Sequence, residues 1–140
     1  MKHIRLLLRV TLGLVFLAAC WDKLLHPEAF GRIILNYRIL PGALVAPLAV
    51  LLPWLELLCG LALIVGALSS GAALLCVLLM ATFLTAEASA LWRSLDIVCG
   101  CFSTDPSASG SLSLAMLRDS GLLLLSLAVL SFSQKRQRAE

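Results

Sequence analysis

Charged residues are scarce in this chain of 140 residues. Asp, Glu, Lys and Arg make up 14% of it, whereas hydrophobic residues make up 61%. Soluble domains carry about 25% charged and roughly 45–50% apolar residues. A chain this short has much surface for its volume and cannot hide so much apolar side chain in one water-facing core. The shortage of charge therefore argues against a soluble domain and favours a protein embedded in lipid.

Other absences narrow the function. Aromatic residues make up 6% of the chain, there are two histidines, and the net charge is only +3. No basic and aromatic residues combine into a nucleic-acid groove, so no nucleic-acid partner is expected. The sequence also lacks haem or zinc ligand spacing, a glycine-rich phosphate loop and a Ser-His-Asp arrangement. These absences argue against the chemistries that depend on those motifs.

The chain does have four long apolar runs. A membrane-spanning helix needs about 20 mostly apolar residues, and backbone in lipid must pair its own polar groups. The runs are continuous and leucine-rich rather than alternating, so we expect helices and not barrel strands. The sequence predicts one all-α domain over residues 1–140, an integral membrane four-helix bundle. Its predicted spans lie at about residues 4–25, 43–66, 70–92 and 112–132.

A different pattern follows the first run, at about residues 28–39. Pro27 suits the first turn of a helix. Apolar residues then recur at helical spacing, with polar residues on the other faces, until Pro41 and Gly42 end the pattern. We expect a short amphipathic helix that lies flat at the membrane interface.

Basic residues indicate the orientation. Three open the first span and three follow the last, namely Lys2, Arg5, Arg9, Lys135, Arg136 and Arg138. With four spans both ends share a side, and the positive-inside rule puts that side in the cytoplasm. We expect a multi-pass protein of the bacterial inner (cytoplasmic) membrane with cytoplasmic N- and C-termini. The irregular segment 93–110 then faces outward.

Residues 17–20 allow an alternative for the first span. Leu-Ala-Ala-Cys behind a basic start and an apolar stretch resembles a lipoprotein cleavage box. Cleavage there would remove the first span and leave a three-span chain anchored through a lipid on Cys20. Many apolar helices contain such a tetrapeptide by chance, and the bulky Trp21 follows directly. The uncleaved helix is therefore the main expectation.

Cys99-Gly100-Cys101 is the most telling chemical group. Two thiols separated by one glycine in an outward loop can form a small-ring disulfide, and Gly100 supplies the permissive backbone. Strained disulfides are more oxidising and labile, which favours electron exchange over a structural role. Two alternatives stay open: the pair binds a soft metal through thiolates, or the two cysteines are unrelated loop residues.

Three further cysteines lie inside the predicted spans. Cys20 is expected about one helical turn below the outer surface. It could exchange with Cys99 or Cys101 if the first span packs beside the loop. Cys59 and Cys76 lie nearer the cytoplasmic side, where buried cysteine is usually an inert small hydrophobe. In the metal alternative, Cys20, Cys99 and Cys101 are ligands for a soft ion such as Cu(I) or Hg(II).

Two carboxylates interrupt the apolar spans. A charge at mid-bilayer costs at least about 2.5–3.5 kcal/mol, so Glu56 must face the bundle interior, take a proton or pair with a polar group. Proton handling beside a dithiol and a hydrogen bond between helices are both open for Glu56. Glu87, with two threonines nearby in sequence, is expected to make a simple polar contact near the interface. Asp96 is expected to set the electrostatics near Cys99.

Several stretches form a distinctive set, of which the most specific is LDIVCGCF at residues 95–102. The others lie at residues 12–16, 21–30, 36–41, 52–57 and 117–119. Together they resemble the MauE branch of the MauE/DoxX family of redox-associated membrane proteins, over nearly the whole chain. The resemblance implies membrane-side thiol chemistry, often beside a periplasmic thioredoxin-like protein. It also implies a link to maturation of methylamine dehydrogenase, a disulfide-rich enzyme.

The leading hypothesis is a membrane thiol–disulfide oxidoreductase or electron relay. Cys99 and Cys101 would cycle between dithiol and disulfide with a periplasmic thioredoxin-like partner, and Cys20 would add a third redox thiol. Glu56 would handle protons, and a quinone held near Glu56 and Trp54 would be a second electron partner. The alternatives are the soft-metal role and a non-catalytic factor that docks a redox enzyme onto the membrane during assembly.

Overall fold

The computed structural model describes residues 2–66, 68–95, 97, 99–102, 104–105 and 111–137. These residues form helices and contain no strand, which confirms the predicted all-α fold. The helices are α1 (Lys2–Leu25), α2 (Pro27–Asn36), α3 (Gly42–Val65), α4 (Ser69–Trp92) and α5 (Leu112–Gln137).

Four of the helices are long and apolar enough to cross a membrane. Their apolar stretches are His3–Leu25, Gly42–Val65, Ser69–Trp92 and Leu112–Lys135. At 1.5 Å per residue such a helix is about 35 Å long, enough for a hydrocarbon core of about 30 Å. Large apolar side chains stay exposed on the outer faces, as Leu14, Leu78 and Leu124 illustrate. Lipid accepts such a surface, and the chain is a multi-pass membrane protein, as predicted.

The long helices form a closed bundle in which α1 packs chiefly on α3 and α4 chiefly on α5. Contacts of α3 with α4 and of α1 with α5 complete the ring. Gly13 and Gly60 lie where α1 and α3 come very close. A Cβ atom on Gly13 would lie 2.8 Å from the carbonyl oxygen of Gly60, and the converse distance is 2.9 Å. Small residues permit this approach of two backbones inside a membrane protein.

The short helix α2 begins at Pro27, one residue before the predicted start, and packs on α3 and α1 with Phe30 and Ile33 buried. It ends at Asn36, three residues before the predicted end. The reason is a turn at Arg38, whose φ of 51° is left-handed and incompatible with a continuing α-helix. The apolar face of α2 therefore covers part of the bundle.

The two ends of the bundle differ in chemistry. At one end the start of α1 meets the end of α5, where the guanidinium of Arg5 lies 5.5 Å from the ring centroid of Phe132. At the other end the segment between α4 and α5 is tied to α1. Thr104 donates to Asp22 Oδ2 from its backbone N–H at 2.6 Å and from its hydroxyl at 2.8 Å. This second end carries Cys99 and Cys101.

Candidate functional site

Cys99 and Cys101 form a disulfide in the segment between α4 and α5. Gly100 between them has a φ of 72°, in the left-handed region that glycine adopts freely. A Cβ atom there would lie 2.7 Å from Cγ2 of Ile33, so the turn is pressed against α2. The hydroxyl of buried Tyr37 donates to the carbonyl of Cys99 at 3.1 Å. The short helix and the residue after it therefore position the cysteine pair.

The two sulfurs differ in exposure. Cys101 is buried, with 7% of its surface exposed, whereas Cys99 is partly exposed. Arg118 Nη2 lies 3.7 Å from Cys99 Sγ, and the same guanidinium lies 4.4 Å from the ring centroid of Phe102. An approaching molecule therefore meets Cys99 first, beside a positive charge that an aromatic ring helps to hold.

Two buried carboxyl groups flank the pair. Glu87 Oε1, from α4, lies 2.5 Å from Cys99 Sγ and 3.5 Å from Cys101 Sγ. Asp119 Oδ2, from α5, lies 3.1 Å from Cys101 Sγ, and its other oxygen accepts a hydrogen bond from Arg118 Nε at 2.8 Å. Glu87 Oε2 is buried without a hydrogen-bond partner among the described residues. The sulfurs therefore lie between two carboxyl groups, one with an unused oxygen.

These four side chains also form a candidate cation site. One ligand atom from each of Glu87, Cys99, Cys101 and Asp119 lies within 4.8 Å of all the others. In the dithiol state the set offers two sulfur and two oxygen donors. Sulfur donors favour soft or borderline ions such as Cu(I) and Zn²⁺. The arrangement can therefore support either thiol–disulfide chemistry or cation binding.

A buried ion pair lies next to the cysteine pair. Lys23 Nζ, from α1, donates to both carboxylate oxygens of Glu56, from α3, at 2.7 and 2.9 Å. Both side chains are 1% exposed. Nζ also lies 5.2 Å from the ring centroid of Phe30 and 5.1 Å from that of Phe83. Glu56 thus faces the interior with a cationic partner, which compensates for its burial.

A small cavity joins the ion pair to the disulfide. It has a volume of about 10 Å³ and is lined by Lys23 and Glu56 together with Cys101 and Asp119. A cavity of this size has room for about one water molecule. The ion pair and the flanked disulfide are therefore parts of one polar site inside an apolar bundle.

The family model for methylamine utilisation protein MauE matches residues 1–132. The chain belongs to the MauE family. It is 43% identical over 98 residues to the methylamine utilization protein MauE of Methylophilus methylotrophus, covering 69% of this chain and 52% of that protein. It is 35% identical over 123 residues to the MauE of Paracoccus denitrificans, covering 87% of this chain and 66% of that protein. The chain thus spans about half to two thirds of these relatives, and no solved structure matches it.

The predicted third redox thiol of this MauE-family chain is not joined to the pair. Cys20 is a buried free thiol, and it donates to the carbonyl of Leu17 at 3.2 Å. Among the described residues, no hydrogen bond or disulfide connects it with Cys99 or Cys101. It is also absent from the described cluster of candidate cation ligands, in contrast to the ligand set expected from the sequence. Its thiol instead makes a hydrogen bond within its own helix.

Glu87 differs from the expectation of a simple polar contact near the interface. The two threonines that precede it, Thr82 and Thr85, are exposed and donate to carbonyls four residues earlier in α4. Residues two or five positions apart lie on different faces of a helix, at about 100° per residue. Glu87 therefore points inward to the sulfurs, while the threonines point outward.

The residues expected near a quinone face different sides of α3. Trp54 is 52% exposed, whereas Glu56 is buried. The two positions are separated by about 200° around the helix axis. A quinone held by both side chains together is therefore not supported by this geometry. Asp96, expected near Cys99, lies outside the described residues.

Lys23 and Asp119 belong to the site but did not stand out in the sequence. A signal was available for Lys23, because a lysine in an apolar helix needs a partner and Glu56 is an acidic residue inside the neighbouring span. Asp119 falls in the family-like stretch 117–119, but an aspartate next to Arg118 in sequence suggests an ordinary surface ion pair between the two. Only the rotation of α5 places its carboxyl group against Cys101.

Proposed function

We propose that this chain is a membrane thiol–disulfide exchange protein that serves methylamine utilisation. The placement of Cys99 and Cys101 between the buried carboxyl groups of Glu87 and Asp119 carries this proposal. A purely structural disulfide needs no neighbouring acid or base, whereas exchange requires protons to be delivered to and removed from the sulfurs. The relatives, which are methylamine utilization proteins MauE, supply the metabolic setting.

Reduction of the pair proceeds in two displacements. A thiolate of a partner dithiol attacks Cys99 Sγ, the S–S bond breaks, and Cys101 leaves as a thiolate while Cys99 enters a mixed disulfide. The carboxyl group of Glu87, beside both sulfurs, delivers the proton to the leaving sulfur. The partner's second thiolate then closes the partner's own disulfide and releases Cys99 beside Arg118. Two electrons pass from the partner to the cysteine pair, and the reverse sequence reoxidises it.

We further propose that the site faces the periplasm, with the termini of the bundle in the cytoplasm. The basic residues Arg5, Arg9 and Lys135 lie at the opposite end of the bundle, and the positive-inside rule puts that end in the cytoplasm. A thioredoxin-like protein in the periplasm is then the partner that fits a small, partly exposed disulfide. The partly exposed Cys99 is the sulfur that it would attack.

Trapping of mixed disulfides tests the proposal. In Cys101→Ser the reachable thiol of Cys99 remains and Cys101 can no longer resolve a mixed disulfide, whereas Cys99→Ser keeps only the buried thiol. Alkylation at lysis blocks the partner's second thiol, which would otherwise release Cys99. We expect Cys101→Ser to accumulate a mixed disulfide with a thioredoxin-like protein, seen on non-reducing gels, and Cys99→Ser to accumulate far less. Cys59→Ser is the control, because Cys59 is a buried free cysteine that forms no disulfide.

Two results would contradict the redox proposal. One is the absence of mixed disulfides in both variants, combined with thiols whose oxidation state never changes in cells. The other is full complementation of growth on methylamine by the Cys99→Ser/Cys101→Ser double variant, which would favour a non-catalytic docking role in assembly.

A second candidate function is cation binding by the reduced pair, favoured by the convergence of four donor atoms within 4.8 Å. The reduced protein would then bind one equivalent of Cu(I) or Zn²⁺ in dialysis, and the Cys99→Ser/Cys101→Ser variant would bind none. Stoichiometric binding without any trapped mixed disulfide would favour this function over exchange. Glu87→Gln is the informative variant, since it removes one donor and leaves both sulfurs.

A further inference from the structure

A large cavity lies at the end of the bundle opposite the disulfide. Its volume is about 580 Å³, within the range of roughly 300–1,000 Å³ that is typical of ligand sites. Two arginines and two serines line it together with apolar side chains, and none of the described lining residues is acidic. The polar lining residues are Arg5, Arg9, Ser69 and Ser133. The cavity is therefore positively charged and rich in hydrogen-bond donors.

Arg9 is held in position without using all its donors. Its guanidinium packs on the backbone where α3 ends, since a Cβ atom on Gly66 would lie 2.6 Å from Arg9 Nη1. Its Nε is buried and has no hydrogen-bond partner among the described residues. A buried donor without a partner is costly, and an ionised donor is more costly still. A guanidinium with free donors suits a phosphate, whose geometry it matches.

The other polar groups converge on the same space. Arg5 lies over the ring of Phe132, which also lines the cavity. The hydroxyls of Ser69 and Ser133 lie 3.1 Å apart. Ser69 is the first residue of α4, whose N-terminus has no side-chain cap. The first N–H groups of such a helix lack intrahelical partners and carry a partial positive charge that favours anions.

We propose that this cavity binds a phosphate group, and that in the membrane this group belongs to an anionic lipid. Arg9 and Arg5 supply the charge, and the serine hydroxyls and the start of α4 supply neutral donors. The cavity lies about 21 Å along α1 from Lys23, counting 1.5 Å per residue, so it is separate from the disulfide. Basic pockets between helices at the membrane surface are suited to lipid headgroups.

Binding to the purified, full-length protein in detergent tests this proposal. Short-chain phosphatidylglycerol and inorganic phosphate are titrated separately, and bound ligand is counted by native mass spectrometry. The site variant is Arg5→Gln/Arg9→Gln. The matched control is Arg32→Gln/Arg38→Gln, which removes the same charge from exposed side chains at and just after α2.

For the site variant we expect a dissociation constant for phosphatidylglycerol at least about tenfold higher than that of the wild type, from the loss of charged hydrogen bonds. The control should bind as the wild type does. A third outcome is that inorganic phosphate binds and needs Arg5 and Arg9, while phosphatidylglycerol does not bind. That result would support a phosphate site but assign it to a soluble anion instead of a lipid. Equal binding of both ligands by all three proteins would overturn the proposal.

The single variant Arg5→Gln provides a second test in case the double variant misfolds. It leaves Arg9 packed on Gly66, and its fold is checked by circular dichroism and by its melting temperature. Weakened lipid binding by a well-folded Arg5→Gln protein supports the site. Unchanged binding of both ligands by the same protein counts against it.

Discussion

Lys23 and Glu56 form an ion pair inside the bundle, with Nζ 2.7 Å from Oε1 and both side chains 1% exposed. The lysine comes from α1 and the glutamate from α3, so the pair joins the two helices. It also lines the small cavity shared with Cys101 and Asp119. The same two side chains therefore join α1 to α3 and lie beside the disulfide.

Breaking this pair should destabilise the protein more than removing it entirely. Lys23→Met or Glu56→Leu alone leaves an unpaired buried charge and should lower the free energy of unfolding by about 3–5 kcal/mol. The double variant leaves no charge and should lose much less. Unfolding in mixed micelles by a denaturant measures all four proteins. Strictly additive losses in the double variant would contradict the ion pair.

Glu87 and Asp119 should control the rate of exchange at the sulfurs. Glu87→Gln and Asp119→Asn keep the shape but cannot transfer a proton, so reduction of the disulfide by a small thiol should slow by about a hundredfold. Stopped-flow reduction followed by alkylation measures the rate. Glu28→Gln, an exposed position on α2, is the control. Unchanged rates in both site variants would show that the carboxyl groups have no role in exchange.

Gly100→Ala should disturb the turn that holds the cysteine pair. The methyl group would lie 2.7 Å from Cγ2 of Ile33, at a φ of 72° that alanine rarely adopts. The strain should cost about 1–3 kcal/mol, and Cys101 should become easier to alkylate after reduction. Gly71→Ala is the matched control, since its added methyl group meets no atom within 4 Å. Equal alkylation of the two variants would argue against the contact with α2.

The close approach of α1 and α3 should not tolerate a side chain at Gly13. A Cβ atom there lies 2.8 Å from the backbone oxygen of Gly60, so Gly13→Ala forces the helices apart. We expect a loss of about 1–3 kcal/mol, as for other overpacked interiors. Gly121→Ala adds the same methyl group in open space and should be neutral or stabilising. Thermal unfolding compares them, and similar melting temperatures would be evidence against this contact.

Tyr37 should make the stability depend on pH under alkaline conditions. Burial raises the pKa of its phenol above the ordinary value of about 10. The unfolded chain therefore ionises first, so stability is fully present below about pH 10 and falls as the pH rises above it. Tyr37→Phe removes the hydrogen bond to Cys99, so its free energy of unfolding should be about 1 kcal/mol lower at neutral pH. Because the variant has no phenol to ionise, its stability should also fall less than that of the wild type above pH 10.

Tyrosine absorbance provides a direct readout, because Tyr37 is the only tyrosine in the chain. Phenolate absorbance of the folded wild type should appear well above pH 10. Ionisation of the folded protein at the ordinary value would show that the hydroxyl is not buried against the Cys99 carbonyl.

The membrane fold could be predicted because composition and run length are properties of the chain itself. Four apolar stretches of spanning length leave few arrangements other than helices in lipid. Pro27 likewise indicates the start of α2. The end of α2 was harder to place, since the amphipathic pattern continues beyond Asn36 while the backbone turns at Arg38.

The site could be predicted only where its members are neighbours in sequence. Cys99 and Cys101 are two residues apart, so their chemistry could be proposed before any packing was known. Glu56 in an apolar span called for a partner but did not identify Lys23, which lies 33 residues away. Glu87 and Asp119 reach the sulfurs through the packing of α4 and α5, which no local pattern encodes.

Composition and run length alone establish four apolar helices long enough to cross a membrane, and the spacing of Cys99 and Cys101 places two thiols in one turn. Which helix faces meet, and which charged groups lie together, follows from the packing of the helices against one another. Lipid and the bundle interior accept the same leucine-rich surfaces. The apolar pattern of a helix therefore does not fix its rotation about its own axis. Close contacts and buried ion pairs fix it instead, as Gly13 on Gly60 and Lys23 with Glu56 illustrate.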